Sequence, residues 1–167
     1  ASKQEGISFQ MTRLLKVQTD PFRHQFIIEK RKNTYEGQTV MDAYGVVGVV
    51  NEVGPFSATV LLITEPSLGI PVRSLRSGAR GIVHGAGSFE HLELKNVSET
   101  ANFQEGDILV TSGVGGVFVE GLMVGVLTEK QRDPFQGFSH WEVKPYAHFN
   151  ESQNFLLIDT PEKEGLS

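Results

Sequence analysis

Two stretches of the sequence place glycines inside runs of β-branched residues, and they limit what the chain can fold into. The first is YGVVGVVNEVG at residues 44–54, and the second is VGGVFVEGLMVGV at residues 114–126. Valine-rich runs suit a pleated strand, and a glycine inside one marks a bulge, a bend or the close approach of another backbone. We therefore interpret Gly45, Gly48, Gly121 and Gly125 as positions where strands bend around a small barrel.

The glycines do not fit a phosphate-binding loop. A P-loop requires a lysine followed by serine or threonine after its last glycine, and neither stretch has one. A dinucleotide fingerprint requires three glycines at fixed spacing at the start of a helix. The residues that follow Gly113, Gly115 and Gly116 instead favour strand or loop. These three glycines are therefore also interpreted as structural, and no cofactor is expected.

The two stretches belong to a longer internal repeat. Residues 36–56 and 105–135 each contain Glu-Gly and a polar residue, an apolar strand, a glycine-marked bend, a Val-Gly-Val strand and a Pro-Phe exit. The flanking segments match as well: Phe22-Arg-His24 with Phe89-Glu-His91, and Phe56-Ser57 with Phe138-Ser139. A repeat of this kind predicts two related β-units, each small enough to favour a small barrel or sandwich.

Composition favours an all-β fold and limits the partners. The chain has 167 residues, 39% of them hydrophobic, with 18 glycines and 11 phenylalanines. Apolar and polar residues alternate over residues 9–17, which predicts a strand, and no long amphipathic helix is evident. The formal net charge of −5 provides no positive field for phosphates, so no nucleic-acid partner is expected. The basic run at residues 30–32 is interpreted as a solvated strand end.

Residue types exclude or disfavour several kinds of site. The chain has no cysteine, which excludes disulfides, thiolate catalysis and cysteine-based metal sites. Its five histidines, at positions 24, 84, 91, 140 and 148, include no His-x-x-x-His pair, so no metal site is expected. No run approaches 18 consecutive apolar residues, and nothing in the sequence predicts a helix that spans a membrane.

Two barrels invite comparison with chymotrypsin-like serine proteases, whose triad is assembled between barrels. Ser112 precedes a glycine, and His24 and Asp42 are the nearest candidates for the base and the aspartate. The residues before this serine are Val110-Thr111, whereas Gly-Asp usually precedes such a nucleophile. We therefore expect no catalytic triad. A serine hydrolase on a two-barrel fold and a small-ligand-binding module are the alternative interpretations.

The order and spacing of many short motifs resemble one known family. The motifs are GVVGVV at 45–50, GPFS at 54–57, VLLIT at 60–64, IPV at 70–72, RGI at 80–82, GAG at 85–87, LEL at 92–94, GDILVTSG at 106–113 and GLMVG at 121–125. Together, over about residues 8–160, the sequence resembles the MreC family of rod-shape-determining proteins. One departure is Val119, where family members often have a proline.

This resemblance implies a non-catalytic scaffold of the bacterial cell-elongation machinery, which maintains rod cell shape during lateral peptidoglycan synthesis. It implies two small six-stranded β-barrels, distantly like the chymotrypsin architecture, without a catalytic triad or cofactor. A membrane helix and a coiled coil would precede this part and anchor it on the periplasmic side of the cytoplasmic membrane. The implied partners are a class B penicillin-binding transpeptidase, MreD, RodA and, indirectly, MreB. Self-association as dimers or filaments is also implied.

We expect the first barrel to be discontinuous, from residues 8–56 and 131–160, and the second to span residues 57–130. A tandem split near residue 70 is the alternative, and residues 161–167 are expected to form a loose tail. An apolar stretch is predicted to form a partner or self-association surface: Val117, Phe118, Val119, Leu122 and Met123. The alternative is that these residues fill the second barrel.

Overall fold

The computed structural model describes residues 7–20, 22–132 and 137–159 of the chain. Every regular element among these residues is a β-strand, and the strands form two closed barrels of six strands each. The predicted fold class, all-β with two six-stranded barrels, is confirmed.

The first barrel consists of β1 (Ser8–Asp20), β2 (Arg23–Glu29), β3 (Thr39–Met41), β4 (Val46–Val53), β5 (Ser57–Leu62) and β12 (Asn154–Asp159). The second consists of β6 (Gly69–Ser74), β7 (Arg80–Gly85), β8 (Leu92–Ser98), β9 (Ile108–Thr111), β10 (Met123–Arg132) and β11 (Phe138–Pro145). The orders around the barrels are β1-β12-β3-β4-β5-β2 and β10-β11-β8-β7-β6-β9.

The two barrels share one topology, but each takes a strand from the other half of the chain. Strands β1 to β5 occupy the same positions in the first barrel as β7 to β11 in the second. The remaining position is filled by β12 in the first barrel and by β6 in the second. The strand that follows each five-strand unit therefore crosses to the opposite barrel, so the sixth strands are reciprocally exchanged.

The repeated segments predicted from the sequence adopt the same local structure. Gly37 and Gly106 have φ angles of +89° and +88°, which glycine adopts without steric cost. Their N–H groups donate to the carbonyls of Val50 and Leu127, respectively, at 2.8 Å in both copies. The two Glu-Gly turns therefore lead into the β3–β4 and β9–β10 hairpins in the same way.

The polar residue after each of these glycines fastens the exchanged strand. Gln38 Nε2 donates to Asp159 Oδ1 at the end of β12, at 2.8 Å. Ser74 Oγ, at the end of β6, donates to Asp107 Oδ2 at 3.2 Å. All four residues are buried, where loss of one partner costs about 1–3 kcal/mol. The Glu-Gly-polar motif thus holds the last residue of the strand that arrives from the other unit.

Gly48 in β4 and Gly125 in β10 lie where the neighbouring strand leaves no room for a side chain. A Cβ atom on Gly48 would lie 2.1 Å from Leu61 O, and one on Gly125 would lie 2.6 Å from Lys144 O. Leu61 and Lys144 belong to the equivalent strands β5 and β11. The close approach is therefore the same in both barrels.

Two other glycines, which we expected at barrel corners, are required for different reasons. A Cβ atom on Gly45 would lie 2.9 Å from Met123 O, so Gly45 is small because the second barrel contacts it. Gly121 has no atom within 4 Å of its Cβ position, and its φ is +86°. Its backbone conformation, rather than a lack of space, therefore requires glycine there.

The strands divide the chain at other residues than the expected boundaries of 8–56, 57–130 and 131–160. β5 stays in the first barrel, between β2 and β4. β11 stays in the second barrel, between β10 and β8. The first Pro-Phe exit is a hairpin turn, since Gly54 N donates to Ser57 O at 2.8 Å. The chain crosses later, at residues 63–68 and 146–153, and residues 161–167 lie outside the described part.

One core cluster runs through both barrels, and aromatic rings join them. Phe89, from the connection between β7 and β8, meets the rings of His24 and Phe26 edge-on at 5.5 and 6.2 Å, and stacks on Phe149 at 5.2 Å. The backbone N–H of His24 donates to Glu65 Oε2 at 2.8 Å, so the first crossing linker is tied to β2. The two barrels therefore pack as one body.

Gly48→Ala is expected to lower the free energy of unfolding by about 3 kcal/mol, because the added methyl meets a backbone carbonyl that cannot move alone. Gly37→Ala is the matched control, because its Cβ would have open space and it bears only the cost of a left-handed backbone, about 1 kcal/mol. Urea denaturation of both variants measures the difference. Equal losses would show that the strands can separate locally at Gly48.

Asp107 is a buried carboxylate of the second barrel that accepts hydrogen bonds from three residues. Burial on its own would raise the pKa of Asp107, but hydrogen bonds from Arg76, from the backbone N–H of Gln104 and from Ser74 outweigh it and lower the pKa. Arg76 Nε donates to Asp107 Oδ1 at 2.7 Å, and Gln104 N donates to Oδ2 at 2.9 Å. The folded state therefore favours the charged carboxylate.

Because its folded-state pKa is lowered, Asp107 stabilises the fold above the unfolded-state value of about 3.9, and this stabilisation is lost as the pH falls through the folded value. Asp107→Asn should therefore lower the free energy of unfolding at pH 7, and its difference from the unmodified chain should shrink below about pH 4. Urea denaturation from pH 7 to pH 3 measures this, with the half-exposed Glu93→Gln as control. A difference independent of pH would contradict the prediction.

Candidate interaction surface

The outer face of β1 exposes apolar side chains. Phe9 and Met11 are 60% and 59% exposed. Met11 lies opposite Leu156 in β12, and Leu156 lies opposite Met41 in β3. Directly opposite residues share one face of a sheet, and Leu156 and Met41 are half-buried. Phe9, Met11, Leu156 and Met41 therefore form one apolar surface, here named the β1 patch.

Sequence reasoning missed the β1 patch because an alternating strand normally turns its apolar side to the core. In β1 the polar Thr12 is the buried residue, at 6% exposure, and Leu14 packs partly against the core. The sequence does contain a signal for the patch. β1 is 13 residues long, and apolar side chains occur at both its odd-numbered and its even-numbered positions, which face opposite sides of the sheet. One of these sets has to face outward.

A loop of residues 112–122 joins β9 to β10 and carries part of the predicted contact surface. Its glycines share the left-handed backbone region that other residues rarely adopt: Gly113, Gly115, Gly116 and Gly121, with φ of +77°, +83°, +70° and +86°. One threonine closes the base of the loop. Thr111 Oγ1 donates to Val119 O at 2.5 Å and accepts from Leu122 N at 2.9 Å.

The structure separates the five predicted contact residues. Val117 is 52% exposed, whereas Phe118 is only 5% exposed and belongs to the core cluster. Leu122 packs partly against that core, and Val119 and Met123 are half-buried. The prediction that Phe118 forms an accessible contact is therefore wrong, because the loop folds back and inserts this ring. Val117 is the member of the set that solvent reaches most freely.

The loop and the β1 patch lie beside each other. Val119 N donates to Thr39 Oγ1 at 3.4 Å, which places the loop against β3. Thr39 is two residues before Met41, and side chains two apart on a strand share a face. This hydrogen bond places the loop next to the β1 patch. The exposed Val117 of the loop and the β1 patch, which come from different barrels, are together named the candidate interaction surface.

His24, Asp42 and Ser112 do not form a catalytic triad. His24 Nδ1 lies 2.9 Å from Thr64 Oγ1. Asp42 Oδ2 accepts hydrogen bonds from the His148 N–H and from Ser152 Oγ. Ser112 Oγ accepts from Val114 N at 3.3 Å. Each of the three groups stabilises a different local structure, and no hydrogen bond connects them.

The remaining alternatives gain no support from the described residues. Among them, no three histidine, aspartate or glutamate side chains are grouped so that they could hold a metal ion. The cleft beside His24, Asp20 and Phe89 has a volume of about 460 Å³, but it is open and partly polar, unlike the apolar cavities that bind small ligands.

The basic run at residues 30–32 includes Arg31, which shares an acidic partner with β1. Arg13 and Arg31 both lie within salt-bridge distance of Glu29, at 3.0 and 3.7 Å.

Within residues 7–20, 22–132 and 137–159, the structure contains no helix with the length and hydropathy to cross a bilayer.

The fold and the surface define a class of protein: two fused β-barrels with an apolar outer face and no catalytic constellation among the described residues. The family described as "Rod shape-determining protein MreC, barrel core" matches residues 14–159. The chain belongs to this MreC family, which is a non-catalytic, shape-determining family, and the resemblance noted in the sequence is confirmed.

Curated relatives agree with this assignment. The cell shape-determining protein MreC of Haemophilus influenzae is 38% identical over 147 residues, which cover 87% of this chain and 42% of the relative. The protein of the same name from Escherichia coli is 32% identical over 157 residues, which cover 93% of this chain and 43% of the relative. The chain thus spans less than half the length of these relatives.

Solved structures share the fold. The crystal structure of MreC from Pseudomonas aeruginosa has a TM-score of 0.84 and 39% identity, over 90% of this chain and 98% of that one. MreC in a complex with the penicillin-binding protein PBP2, from Helicobacter pylori, has a TM-score of 0.71 and 16% identity, over 93% of this chain and 99% of that one. The latter likeness shows the fold alone.

The different positions of Val117 and Phe118 can be tested by truncating each side chain. Phe118→Ala should lower the free energy of unfolding by about 3–5 kcal/mol, because it leaves a cavity in the core. Val117→Ala, one residue away and exposed, should change it by no more than about 0.5 kcal/mol. Urea denaturation measures both values. Similar losses in the two variants would mean that the loop does not insert Phe118.

Proposed function

We propose that this chain is the periplasmic, β-rich part of a scaffold for lateral peptidoglycan synthesis, and that it maintains rod cell shape by binding other proteins. The observation that carries the proposal is membership of the MreC family over residues 14–159. The names of the relatives, which describe them as cell shape-determining proteins, support the cellular role. The exposed apolar surface supports binding as the mode of action.

The proposed main partner is a class B penicillin-binding transpeptidase. The Helicobacter pylori protein that shares this fold is solved in a complex with PBP2, which supports the choice of partner. The candidate interaction surface suits such a contact, because apolar and aromatic side chains dominate the centres of protein interfaces. Phe9 and Met11, at 60% and 59% exposure, are the most exposed members of this surface.

Binding would use side chains on the outer faces of the barrels. Closure of both sheets gives each strand a neighbour on either side, which limits the backbone edge that a partner strand could extend. A scaffold that binds one conformation of the transpeptidase more tightly than another shifts its population toward that conformation. Activation of peptidoglycan synthesis would then require no chemistry in the scaffold itself.

The proposal includes the wider assembly. The resemblance supports MreD and RodA as further membrane partners, an indirect connection to MreB, and an N-terminal anchor that holds this part on the periplasmic side of the cytoplasmic membrane. It also supports self-association as dimers or filaments. These interactions involve the whole protein. The chain corresponds to less than half the length of its curated relatives.

The experiment is a pull-down with the full-length, membrane-anchored protein from its own bacterium, in which the class B transpeptidase should be recovered. Met11→Asp should reduce the recovered transpeptidase and weaken binding of the purified transpeptidase about tenfold or more, since burying an unpaired charge at an interface centre costs more than about 1.4 kcal/mol.

The control variant is Ile82→Asp, at an apolar residue of similar exposure, 50%, on β7 of the second barrel. It should leave transpeptidase binding unchanged. If both variants bind as the unmodified protein does, the contact lies outside the β1 patch. If the unmodified full-length protein recovers no transpeptidase at all, the proposed function is wrong.

A further inference from the structure

The first barrel is closed by β12, a strand that arrives from the half of the chain that builds the second barrel. β12 pairs with β1 from Ser8↔Asp159 to Arg13↔Asn154, and with β3 at Val40 and Met41. Phe155 and Leu157 of β12 are buried in the core. All of these contacts depend on the sequence of β12 and not on which copy of the chain supplies it.

The linker of residues 146–153 decides which copy supplies β12. It starts on the second barrel, where Tyr146 N donates to Val124 O at 3.1 Å. It is then held on the first barrel by Asp42, whose Oδ2 accepts from His148 N at 2.7 Å and from Ser152 Oγ at 2.8 Å. The rings of Tyr44 and His148 also stack, with centroids 3.7 Å apart.

Asp42 is itself fixed in place, and this makes it the latch of the linker. The residue is 1% exposed, and its Oδ1 accepts from the N–H groups of Tyr44 and Gly45 at 2.8 and 2.9 Å. Ala147 and Phe149 of the linker are also buried in the core cluster. When these two side chains leave the core and the contacts to Oδ2 open, the eight-residue linker can extend, and a chain of that length spans about 26–29 Å. That distance is enough to reach a neighbouring copy.

We propose that copies of this chain associate by exchanging β12, so that the β12 of one copy closes the first barrel of the next. The inference rests on the self-association in the proposed function, and it identifies the source of the exchanged β12 as a second copy of the chain. Reciprocal exchange between two copies gives a dimer. Exchange in one direction, from each copy to the next, gives a ring or an open filament.

Cysteine cross-linking tests the exchange cleanly, because the chain has no cysteine of its own. Chains with Met11→Cys are mixed with size-tagged chains that carry Leu156→Cys, incubated at high concentration and oxidised. These residues are cross-strand partners, and opposite Cα atoms in antiparallel strands lie within disulfide range. A tagged disulfide-linked heterodimer is expected, since β1 and β12 then come from different copies.

A second pair separates strand exchange from simple contact between outer faces. Gln10 and Leu157 are also cross-strand partners, and Leu157 is fully buried, so two closed barrels cannot bring these positions together. Gln10→Cys and Leu157→Cys on separate chains should also give the heterodimer. The matched control is Gln131→Cys with His140→Cys, partners in the consecutive strands β10 and β11, which should give none.

The latch makes a further prediction within the same experiment. Asp42→Ala should raise the cross-linked fraction about tenfold, the shift that corresponds to one or two ordinary hydrogen bonds lost from the unexchanged form alone. A fraction that stays the same or falls would contradict the role of the latch.

Light scattering on the same samples distinguishes this inference from the proposed function. If oligomers form but the Gln10/Leu157 pair gives no heterodimer, the exchange of β12 is wrong and self-association proceeds through another surface. If the chain stays monomeric at every concentration and no pair is cross-linked, the exchange is also wrong. The pull-down of the transpeptidase is unaffected by either result, so the scaffold role is tested separately.

Discussion

The reciprocal exchange of β6 and β12 is the constraint on which the rest of the structure depends. β12 buries Phe155, Leu157 and Ile158, which together contribute about 5–9 kcal/mol of transfer free energy. A small domain has a net stability of only about 5–15 kcal/mol. Without β12, the first barrel would lose burial energy comparable to the whole net stability of a small domain. This dependence, together with the shared core cluster, makes the two barrels one cooperative body.

The repeat could be predicted from the sequence because its motifs describe local conformations. Glu-Gly with a polar residue indicates a turn wherever it occurs, and Gly37 and Gly106 adopt nearly the same positive φ. Val-Gly-Val indicates a strand that another backbone approaches closely, as at Gly48 and Gly125. Such signals can be recognised at any position in the sequence, because each depends on only a few neighbouring residues. They were sufficient to predict two small barrels and to exclude phosphate-binding loops.

The exchange, the boundaries and the interaction surface could not be predicted in this way, because they depend on residues far apart in sequence. Nothing in the residues after Leu62 tells which barrel the next strand will enter. Alternation in β1 predicts a strand, but it does not say that Thr12 faces inward and Met11 outward. Val117 and Phe118 are neighbours of similar hydropathy, and only the fold of the loop onto β3 decides which is buried. Tertiary packing overrides local pattern at each of these places.

Some equivalent residues of the two units differ in burial: one is packed between the barrels and its counterpart is exposed. This asymmetry leaves apolar surface available for partners. Phe89, before β8, packs against Phe26 and Phe149 between the barrels. Phe22, its counterpart before β2, is 89% exposed, and its N–H donates to Asp20 Oδ1 in the turn. Two fused copies of one unit need only one set of such rings to pack together. The other set stays on the outside, where exposed apolar side chains contribute nothing to folding and are available for binding. A duplicated barrel can therefore serve as a scaffold without a reactive centre.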